Sequence, residues 1–322
     1  MIELHLHLDG SLSKEDIDYL SKKNNLPYDE NTPLTVNEDI KRRGAYFTCF
    51  DYPIALMQDE DSLEYATYSL YKRLSKEGIF YAEVRYAPSQ QIFKGLTQEQ
   101  VVQATIRGYQ KAHKETGILG GLILCIMRFH DFTEKNIDTI EVARKYLGKG
   151  VLALDIAGDE ERYPFALFQN EFELIKKYHL PFTAHAGETM GPENVWAALK
   201  VGATRIGHGI HAYQDPSLID HLVRHDILME ICPSSELDTG CVSSLSEIHL
   251  RDLMKAGVKI AIGADDTMVS ATNLKREFDL LEKEYHLTDE EIITFWKNAI
   301  DHAFCDEPTK KTLRKKLSAL LK

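Results

Sequence analysis

Eight short β-rich segments recur along the chain with helical segments between them, and this alternation limits the possible folds more than any other feature. Several of the segments are apolar through most of their length, which is typical of parallel strands covered on the outside by helices. Strands that alternate with helices in this way predict an α/β fold. The predicted strands are residues 2–7, 79–86, 122–129, 151–156, 181–186, 204–207, 227–231 and 258–262. The clearest predicted helices are residues 96–116, 164–178, 192–201 and 245–256.

The turn after the first predicted strand favours a closed (β/α)8 TIM barrel over an open doubly wound sheet. An open sheet of that kind carries a G-x-G-x-x-G phosphate loop there, whereas this chain has Leu8-Asp9-Gly10-Ser11. Barrels routinely reach a length of 322 residues as one unit. We therefore expect a single domain over residues 1–322.

Two long segments fall outside the regular alternation of strands and helices. Residues 11–78 contain amphipathic pieces, with Tyr46, Phe47 and Phe50 near the middle. We expect this segment to add helices over the barrel mouth after strand 1, where they could form a lid. The tail, residues 288–322, is helical in pattern and rich in charge, so we expect it to pack outside the barrel.

The composition argues against several classes of function. A formal net charge of −12 disfavours binding to nucleic acid, which requires a concentrated basic surface, and favours a small-molecule ligand. No apolar run approaches the roughly 20 residues that cross a bilayer, and the first residues do not form a basic and then apolar leader. We therefore expect a cytoplasmic protein, monomeric or weakly homo-oligomeric, that binds no membrane. Five scattered cysteines predict isolated reduced thiols rather than a disulfide framework.

His5 and His7 end the first predicted strand. Residues two apart in a strand point to the same face, so both imidazoles project together toward the barrel interior. Two imidazoles placed in this way can share one metal ion. The pair alone is equally compatible with two hydrogen-bonded core histidines, so the decision depends on the other strands.

Polar side chains also stand at the ends of three further predicted strands. His185 ends the fifth strand, and Glu188 follows in the next loop. This spacing suits a metal ligand followed by a proton carrier. A buried histidine with a helix-capping glutamate would give the same pattern. His208, flanked by glycines, ends the sixth strand, and Asp265 and Asp266 follow the eighth. Barrel enzymes place their active sites at these carboxyl ends of strands. The shared location therefore favours one common site over independent core histidines.

The predicted ligands indicate which metal the site would take. Three imidazoles and one carboxylate suit zinc best, with iron, cobalt or manganese as possible replacements. Paired-metal barrel hydrolases commonly use a carboxylated lysine on the fourth strand, and residues 152–158 contain no lysine, so we expect one metal ion. The other histidines fall mostly in helical or loop segments and are not predicted to be ligands: His113, His130, His179, His211, His221, His225, His249, His286 and His302.

Taken together and in this order, the motifs resemble the adenosine deaminase family, within the amidohydrolase superfamily of metal-dependent TIM barrels. The resemblance covers nearly the whole chain. The matching motifs are His5-Leu6-His7-Leu8-Asp9-Gly10-Ser11-Leu12, Phe50-Asp51, Tyr81-Ala82-Glu83-Val84-Arg85-Tyr86, Ala157-Gly158-Asp159-Glu160, His185-Ala186-Gly187-Glu188, Gly207-His208-Gly209 and Asp265-Asp266.

The resemblance implies zinc-dependent hydrolysis of adenosine, and of 2′-deoxyadenosine, to the inosine product and ammonia in purine salvage. Glu188 would exchange a proton with purine N1 as water adds to C6, and His208 would orient and help deprotonate that water. Both would be catalytic residues. The residues implied to bind the single zinc ion are His5, His7, His185 and Asp265.

The resemblance also implies contacts with the rest of the nucleoside. Asp266 would hydrogen-bond N7, the backbone amide of Gly158 would reach N3, and Asp9 would accept a hydrogen bond from a ribose hydroxyl. Phe47 and Phe50 are expected to give the apolar cover that keeps Glu188 protonated, although ordinary helix packing explains either aromatic equally well.

The loop after the eighth strand departs from the family pattern. The family usually has Asn-Thr-Asp-Asp-Pro, whereas this chain has Gly263-Ala264-Asp265-Asp266-Thr267. The small residues and the missing proline are expected to loosen or reshape the loop that holds Asp266. After the seventh strand, residues 232–235 form a turn like that of the family, and residues 239–240 resemble adenosine-acting members more than adenine-acting ones.

Several alternatives stay open from the sequence. The substrate could be another aminopurine: adenine, an N6-substituted AMP or a ribose-modified adenosine. Asp9 favours a neutral nucleoside, because a carboxylate near the 5′ end of the sugar repels a phosphate. A barrel that opens a cyclic amide fits the single-metal pattern and Glu188 less well. A catalytically silent binding barrel has no use for so many costly buried polar groups.

Overall fold

The computed structural model describes residues 1–129 and 132–321, so His130, set aside above as a non-ligand, lies outside the described residues. All eight predicted strands are present. They are β1 (Ile2–His7), β2 (Tyr81–Tyr86), β3 (Leu119–Arg128), β4 (Val151–Gly158), β5 (Thr183–Ala186), β6 (Arg205–His208), β7 (Leu228–Ile231) and β8 (Lys259–Ile262).

The strands form two parallel sheets that join into one barrel. The sheet orders are β1-β2-β3-β4 and β5-β6-β7-β8. A parallel bridge between Leu154 and Phe182 links β4 to the start of β5, and another between Leu6 and Asp265 links β1 to the chain after β8. The backbone amide of Asp265 donates to His5 at 2.8 Å, and the amide of His7 donates to Asp265 at 2.8 Å. The predicted (β/α)8 TIM barrel is therefore confirmed.

One strand boundary differs from the sequence prediction for a clear physical reason. β3 begins at Leu119, three residues before the predicted start at residue 122. Gly120 and Gly121 are poor strand formers by propensity, but they pair with Ala82 and Glu83 of β2. A Cβ on Gly120 would lie 1.8 Å from the carbonyl oxygen of Ala82, so only glycine permits this approach.

Helices surround the barrel and connect its strands. Within the described residues they are α1 (Lys14–Asn24), α2 (Glu38–Arg42), α3 (Thr48–Leu56), α4 (Glu60–Lys76), α5 (Gln98–Thr116), α6 (Thr133–Tyr146), α7 (Gln169–Lys177), α8 (Pro192–Val201), α9 (Pro216–Arg224), α10 (Pro233–Asp238), α11 (Leu250–Ala256), α12 (Leu274–Tyr285), α13 (Asp289–His302) and α14 (Glu307–Leu320). In the part of the chain that the structure describes, no helix is both long and apolar enough to cross a membrane.

Local signals explain where several helices begin and end. α5 begins after Thr97, whose hydroxyl oxygen accepts from the amide of Gln100 in a capping box, so the helix starts two residues later than predicted. The predicted helix at residues 245–256 is interrupted. His249 has a φ of 54°, which separates a short 3-10 turn from α11. The expected turn after β7 is the first turn of α10, with Pro233 at its start.

The first long segment and the tail occupy opposite ends of the barrel. α1 to α4 fill the segment between β1 and β2, and residues 44–54 line a cavity at the mouth, as expected for a cover. α4 instead packs beside α5 on the outside. In the tail, Leu313 and Leu317 of α14 join Ile2 and Leu4 of β1 in one apolar cluster. The tail therefore covers the amino-terminal ends of the strands.

Below the carboxyl ends of the strands, the barrel interior contains a buried ionic layer. The guanidinium of Arg205 donates to Glu83 at 2.6 Å and to Glu230 at 2.5 Å. Glu83 also accepts from the hydroxyl of Tyr81 at 2.6 Å and from the amide of Phe304 at 2.6 Å. These charged side chains are all at most 1% exposed, so each carboxylate depends on its cation and donors for stability.

Replacement of Arg205 by methionine should destabilise the fold strongly, because it leaves Glu83 and Glu230 buried without this cation. We expect the free energy of unfolding, measured by urea denaturation, to fall by about 3–5 kcal/mol. Arg42→Met is the control, because its ion pair with Asp39 is exposed and worth less than about 1 kcal/mol. Equal losses in the two variants would contradict a structural role for the buried layer.

Candidate active site

Four side chains that the sequence predicted as metal ligands converge at the carboxyl end of the barrel. His5 Nε2 and His7 Nε2 lie 3.2 Å and 3.3 Å from Asp265 Oδ1, and His7 Nε2 lies 3.2 Å from His185 Nε2. The four potential ligand atoms all lie within 4.8 Å of one another. Within residues 1–129 and 132–321, the buried atoms His5 Nε2 and Asp265 Oδ1 have no hydrogen-bond partner. Orphaned donors and acceptors that face one point fit a divalent metal ion.

The backbone holds Asp265 directly against β1. Asp265 adopts a φ of 56°, a strained region for a non-glycine residue that is found mainly at functional sites. A Cβ on Gly263 would lie 2.7 Å from the Cβ of His5. The amide of Ala264 donates to Glu3 at 3.1 Å, and the amide of Thr267 donates to Ser11 at 3.1 Å. In this chain the small residues let the loop pack closely on the first strand.

Carboxylates behind two of the histidines fix the orientation of the rings. His5 Nδ1 lies 2.7 Å from Glu230, and His185 Nδ1 lies 2.9 Å from Asp155. The guanidinium of Arg85 donates to both carboxylates, at 2.8 Å and 2.7 Å. Burial lowers the pKa of His185 to about 4, which favours the neutral imidazole that a metal requires. The Nε2 atoms are thereby directed to the common point.

Glu188 and His208 lie beside the ligand cluster. Glu188 Oε2 and Asp265 Oδ2 lie 3.8 Å and 3.9 Å from His208 Nε2. Burial raises the pKa of Glu188 to about 7, so an appreciable fraction is protonated near neutral pH. Burial disfavours the charged form of His208, but Glu188 and Glu236 hold its pKa well above the ordinary value. The pair therefore combines a carboxyl group that can give up a proton with an imidazole that readily takes one.

Glu160 organises the loop that carries Glu188. Its carboxylate accepts from the backbone amides of Gly187 at 3.1 Å, Thr189 at 2.7 Å and Met190 at 2.8 Å, and from the side-chain amide of Asn194 at 3.2 Å. Glu160 itself is only 4% exposed. Because the bonded amides lie on both sides of Glu188, this single carboxylate fixes where Glu188 stands.

A cavity of about 500 Å³ opens above the metal-ligand cluster. The predicted substrate-binding residues Asp9, Gly158, Asp266, Phe47 and Phe50 all line it. Burial raises the pKa of Asp9 to about 6, and no described residue forms a hydrogen bond with its Oδ1 atom. Phe47 is 50% exposed, so it lies at the rim of the cavity.

Gly10 and Tyr46 place Asp266 in the cavity wall. A Cβ on Gly10 would lie 1.7 Å from Asp266 Oδ1, so only glycine leaves room for the carboxyl group. The hydroxyl of Tyr46 donates to Asp266 Oδ2 at 2.8 Å. Asp266 Oδ1 is buried and has no hydrogen-bond partner in the described part of the chain. One oxygen of Asp266 is therefore engaged by the protein and the other is free for a ligand.

All the sequence-predicted site residues line this one cavity except His5, which belongs to the ligand cluster at its base. The sequence reasoning missed Asp155, Glu230 and Glu236. It named Glu160 only as part of a motif and Tyr46 only as an apolar cover, so it missed the contacts that they make with the site. A signal existed for Asp155 and Glu230, since a carboxylate inside an otherwise apolar strand must meet a partner. Glu236 and Tyr46 lie in loops and helices outside the strands, where the pattern gives no comparable signal.

Comparisons with known proteins find similar sequences and structures that cover nearly the whole chain. The model of a protein family described as adenosine deaminase matches residues 1–320. An adenosine deaminase from Haemophilus ducreyi is 39% identical, over 97% of this chain and 94% of its own length. Similar solved structures share the barrel. An adenine deaminase from Arthrobacter aurescens has a TM-score of 0.86 at 23% identity, covering 99% of this chain and 98% of its own. An amidohydrolase from Burkhoderia ambifaria with bound Zn has a TM-score of 0.85 at 20% identity, covering 99% and 89%.

Substitution of Glu160 by glutamine should loosen the loop around Glu188, because the new NH2 group cannot accept from a backbone amide. We expect hydrogen exchange at the amides of Thr189 and Met190 to accelerate roughly 10- to 100-fold, corresponding to about 1–3 kcal/mol of lost protection. Glu161→Gln, at the exposed neighbouring position, is the control and should leave both rates unchanged. Unchanged exchange in Glu160→Gln would show that other contacts hold the loop.

Proposed function

The chain belongs to the adenosine deaminase family, and from that premise we propose which residues carry out its reaction. It is a hydrolytic deaminase that converts adenosine to inosine and ammonia. We propose 2′-deoxyadenosine as a second substrate and purine salvage as the role. The observation that carries the proposal is the convergence of the four metal-ligand side chains with Glu188 and His208 at the base of one cavity.

The divalent metal that the family requires is proposed to be one zinc ion per chain. His5, His7, His185 and Asp265 would hold it, since three imidazole nitrogens and one carboxylate oxygen form a donor set typical of catalytic zinc. Bound there, zinc would supply Lewis acidity that makes water nucleophilic near neutral pH. The zinc in the similar amidohydrolase from Burkhoderia ambifaria supports this choice.

Glu188 is proposed to supply a proton to N1 of the purine. Its raised pKa, about 7, lets it arrive protonated, and protonation of N1 draws electrons from C6 and opens that carbon to attack. The loop contacts of Glu160 keep the carboxyl group at a fixed position at the cavity base. When C6 becomes tetrahedral, N1 keeps this proton. The amine leaves as ammonia with the proton that His208 took from water, and the Glu188 carboxylate takes the proton of the C6 hydroxyl as the carbonyl forms.

His208 is proposed to accept the proton that the attacking water loses. Its Nε2 atom lies near both Glu188 and Asp265, so it faces the region where water would meet C6. The surrounding carboxylates stabilise the imidazolium that results. A proton moves from water to Nε2, and the oxygen electron pair forms the new bond to C6.

The remaining cavity residues are proposed to bind the purine and ribose. Burial and the charges of Asp265 and Asp9 hold the pKa of Asp266 well above its ordinary value, so its free oxygen can carry a proton and donate to N7. Gly158 would donate its backbone amide to N3, and Asp9 would accept from a ribose hydroxyl. Phe47 and Phe50 would cover the base at the rim.

We further propose that residues 1–322 act as one domain and that the protein works as a monomer or a weak homo-oligomer. All residues of the site come from this one chain. The largest apolar cluster runs through both four-stranded sheets, from Leu6 in β1 to Ile262 in β8. No second subunit is needed to complete the cavity described above.

Substitution of Glu188 by glutamine should retain the metal and abolish most turnover, because the amide cannot deliver a proton to N1. We expect about one zinc per chain by atomic absorption and a kcat lower by at least about a hundredfold. Glu193→Gln, at an exposed position on α8, is the control and should retain full kcat. Full activity of Glu188→Gln would disprove the assigned role.

A panel of substrates tests the specificity. We expect ammonia release from adenosine and 2′-deoxyadenosine, with much lower kcat/KM for adenine, AMP and N6-methyl-AMP. The metal content of the same sample is measured in parallel. If AMP or N6-methyl-AMP were deaminated more efficiently than adenosine, the nucleoside assignment would be wrong even with zinc in place.

Asp9 should discriminate against a 5′-phosphate, because two negative charges would meet in a water-poor cavity. At pH 8, where Asp9 is mostly ionised, Asp9→Asn should raise the ratio of kcat/KM for AMP to that for adenosine by about tenfold or more. Asp61→Asn removes the same charge at an exposed position and should leave the ratio unchanged. An unchanged ratio in Asp9→Asn would place the discrimination elsewhere.

A further inference from the structure

Glu236 is a fully buried carboxylate directly behind His208. It lies on α10, which follows β7, and its side chain is 0% exposed. Its Oε1 atom lies 3.1 Å from His208 Nδ1. The backbone around it is fixed, because its amide donates to Cys232 at 3.0 Å and its carbonyl accepts from Val242 at 3.1 Å. The carboxylate is therefore held against one particular ring nitrogen.

This contact determines which nitrogen of His208 faces the reaction. A carboxylate accepts only from an N–H group, so Nδ1 carries a proton, and in the neutral ring the lone pair is therefore on Nε2. Nε2 is the atom that lies near Glu188 and Asp265. His208 adopts a φ of 62°, which turns the ring out of the ordinary strand direction. The ring therefore needs a second anchor, and Glu236 provides it.

A purely structural role explains Glu236 poorly. Among the described residues, no lysine or arginine forms an ion pair with it, and His208 is its only ion-pair partner. Its second oxygen, Oε2, is buried and has no hydrogen-bond partner among the residues that the structure describes. A buried carboxylate with one unsatisfied oxygen costs stability that an apolar side chain of similar size would not cost. The arrangement is understandable if the charge acts on His208.

We propose that Glu236 is the positioning residue of His208: it sets the tautomer of the imidazole and stabilises the imidazolium after Nε2 has taken the proton of the attacking water. The inference rests on the proposed role of His208. The proton on Nδ1 stays in its hydrogen bond to Glu236 throughout, and only Nε2 exchanges a proton. Glu236 does not touch the substrate, so it should affect kcat far more than KM.

Two substitutions separate charge from hydrogen bonding. Glu236→Gln keeps an acceptor oxygen for Nδ1–H but loses the charge, and we expect kcat to fall about tenfold with little change in KM. Glu236→Leu removes the acceptor as well, and we expect a fall of about a hundredfold. Should Glu236→Leu fail to fold, the glutamine variant, which has nearly the same volume, still decides the question.

A double-mutant cycle shows whether Glu236 acts through His208. In the residual activity of His208→Ala, adding Glu236→Gln should change kcat by less than about twofold, because coupled residues are not additive. Glu277→Gln is the matched control. Glu277 is also a buried carboxylate, and it holds the start of α10 by accepting from the amide and hydroxyl of Ser234. Its effect on kcat, large or small, should be the same with and without His208.

The tautomer itself has a readout that does not involve turnover. With nitrogen-15-labelled histidine, the ring signals of His208 are assigned by their absence in His208→Ala. We expect a protonated Nδ1 with a slowly exchanging proton in the wild type and in Glu236→Gln. In Glu236→Leu the proton should exchange rapidly or the other tautomer should appear.

The possible failures are distinguishable. If His208→Ala keeps wild-type kcat, the role of His208 in the proposed function fails, and this inference fails with it. If His208→Ala loses kcat but Glu236→Gln does not, only the inference about Glu236 is overturned. The inference about Glu236 is also overturned if Glu236→Gln still lowers kcat tenfold in the His208→Ala background. It is overturned as well if the Nδ1 proton of His208 exchanges as slowly in Glu236→Leu as in the wild type.

Discussion

Arg85 donates hydrogen bonds from the centre of the barrel to both carboxylates that stand behind metal-ligand histidines. Through Glu230 it sets the ring of His5, and through Asp155 it sets the ring of His185. One fully buried guanidinium thus fixes the relative position of β1, β2, β4, β5 and β7 at one height. The ligand atoms converge because their supporting carboxylates share this cation, and the cavity above has a rigid floor as a result.

The buried ion pairs fix the geometry of the site at a cost in folding stability. An apolar barrel interior of the same volume would avoid the desolvation of several charges, and buried ion pairs at best recover that cost. In return, the rings of His5 and His185 are each held in one orientation. Similar support is present at the mouth, where Glu160 spans the loop of Glu188 and Tyr46 occupies one oxygen of Asp266.

Two residues with left-handed backbone lie where chemistry is expected. His208 is the last residue of β6, and Asp265 lies three residues after the end of β8. The small residues around them have complementary roles: Gly207 leaves space for the ring of His5, and Gly10 leaves space for Asp266. Bonds from the neighbouring strands hold the strained residues in place, as in the exchange between Asp265 and β1. The small residues by which this loop departs from the family pattern allow it to pack against β1.

The sequence alone determined the eight strands, the barrel and the side chains at the strand ends, because strand periodicity shows which residues face inward and parallel strands end at one edge. It also predicted His5, His7, His185 and Asp265 as metal ligands, since their residue types limit the chemistry. Only the tertiary structure decided which carboxylate stands behind which histidine, as with Glu236 and His208. Periodicity specifies the face of a side chain but not the stagger between strands, and that stagger sets which distant residues meet at the same height.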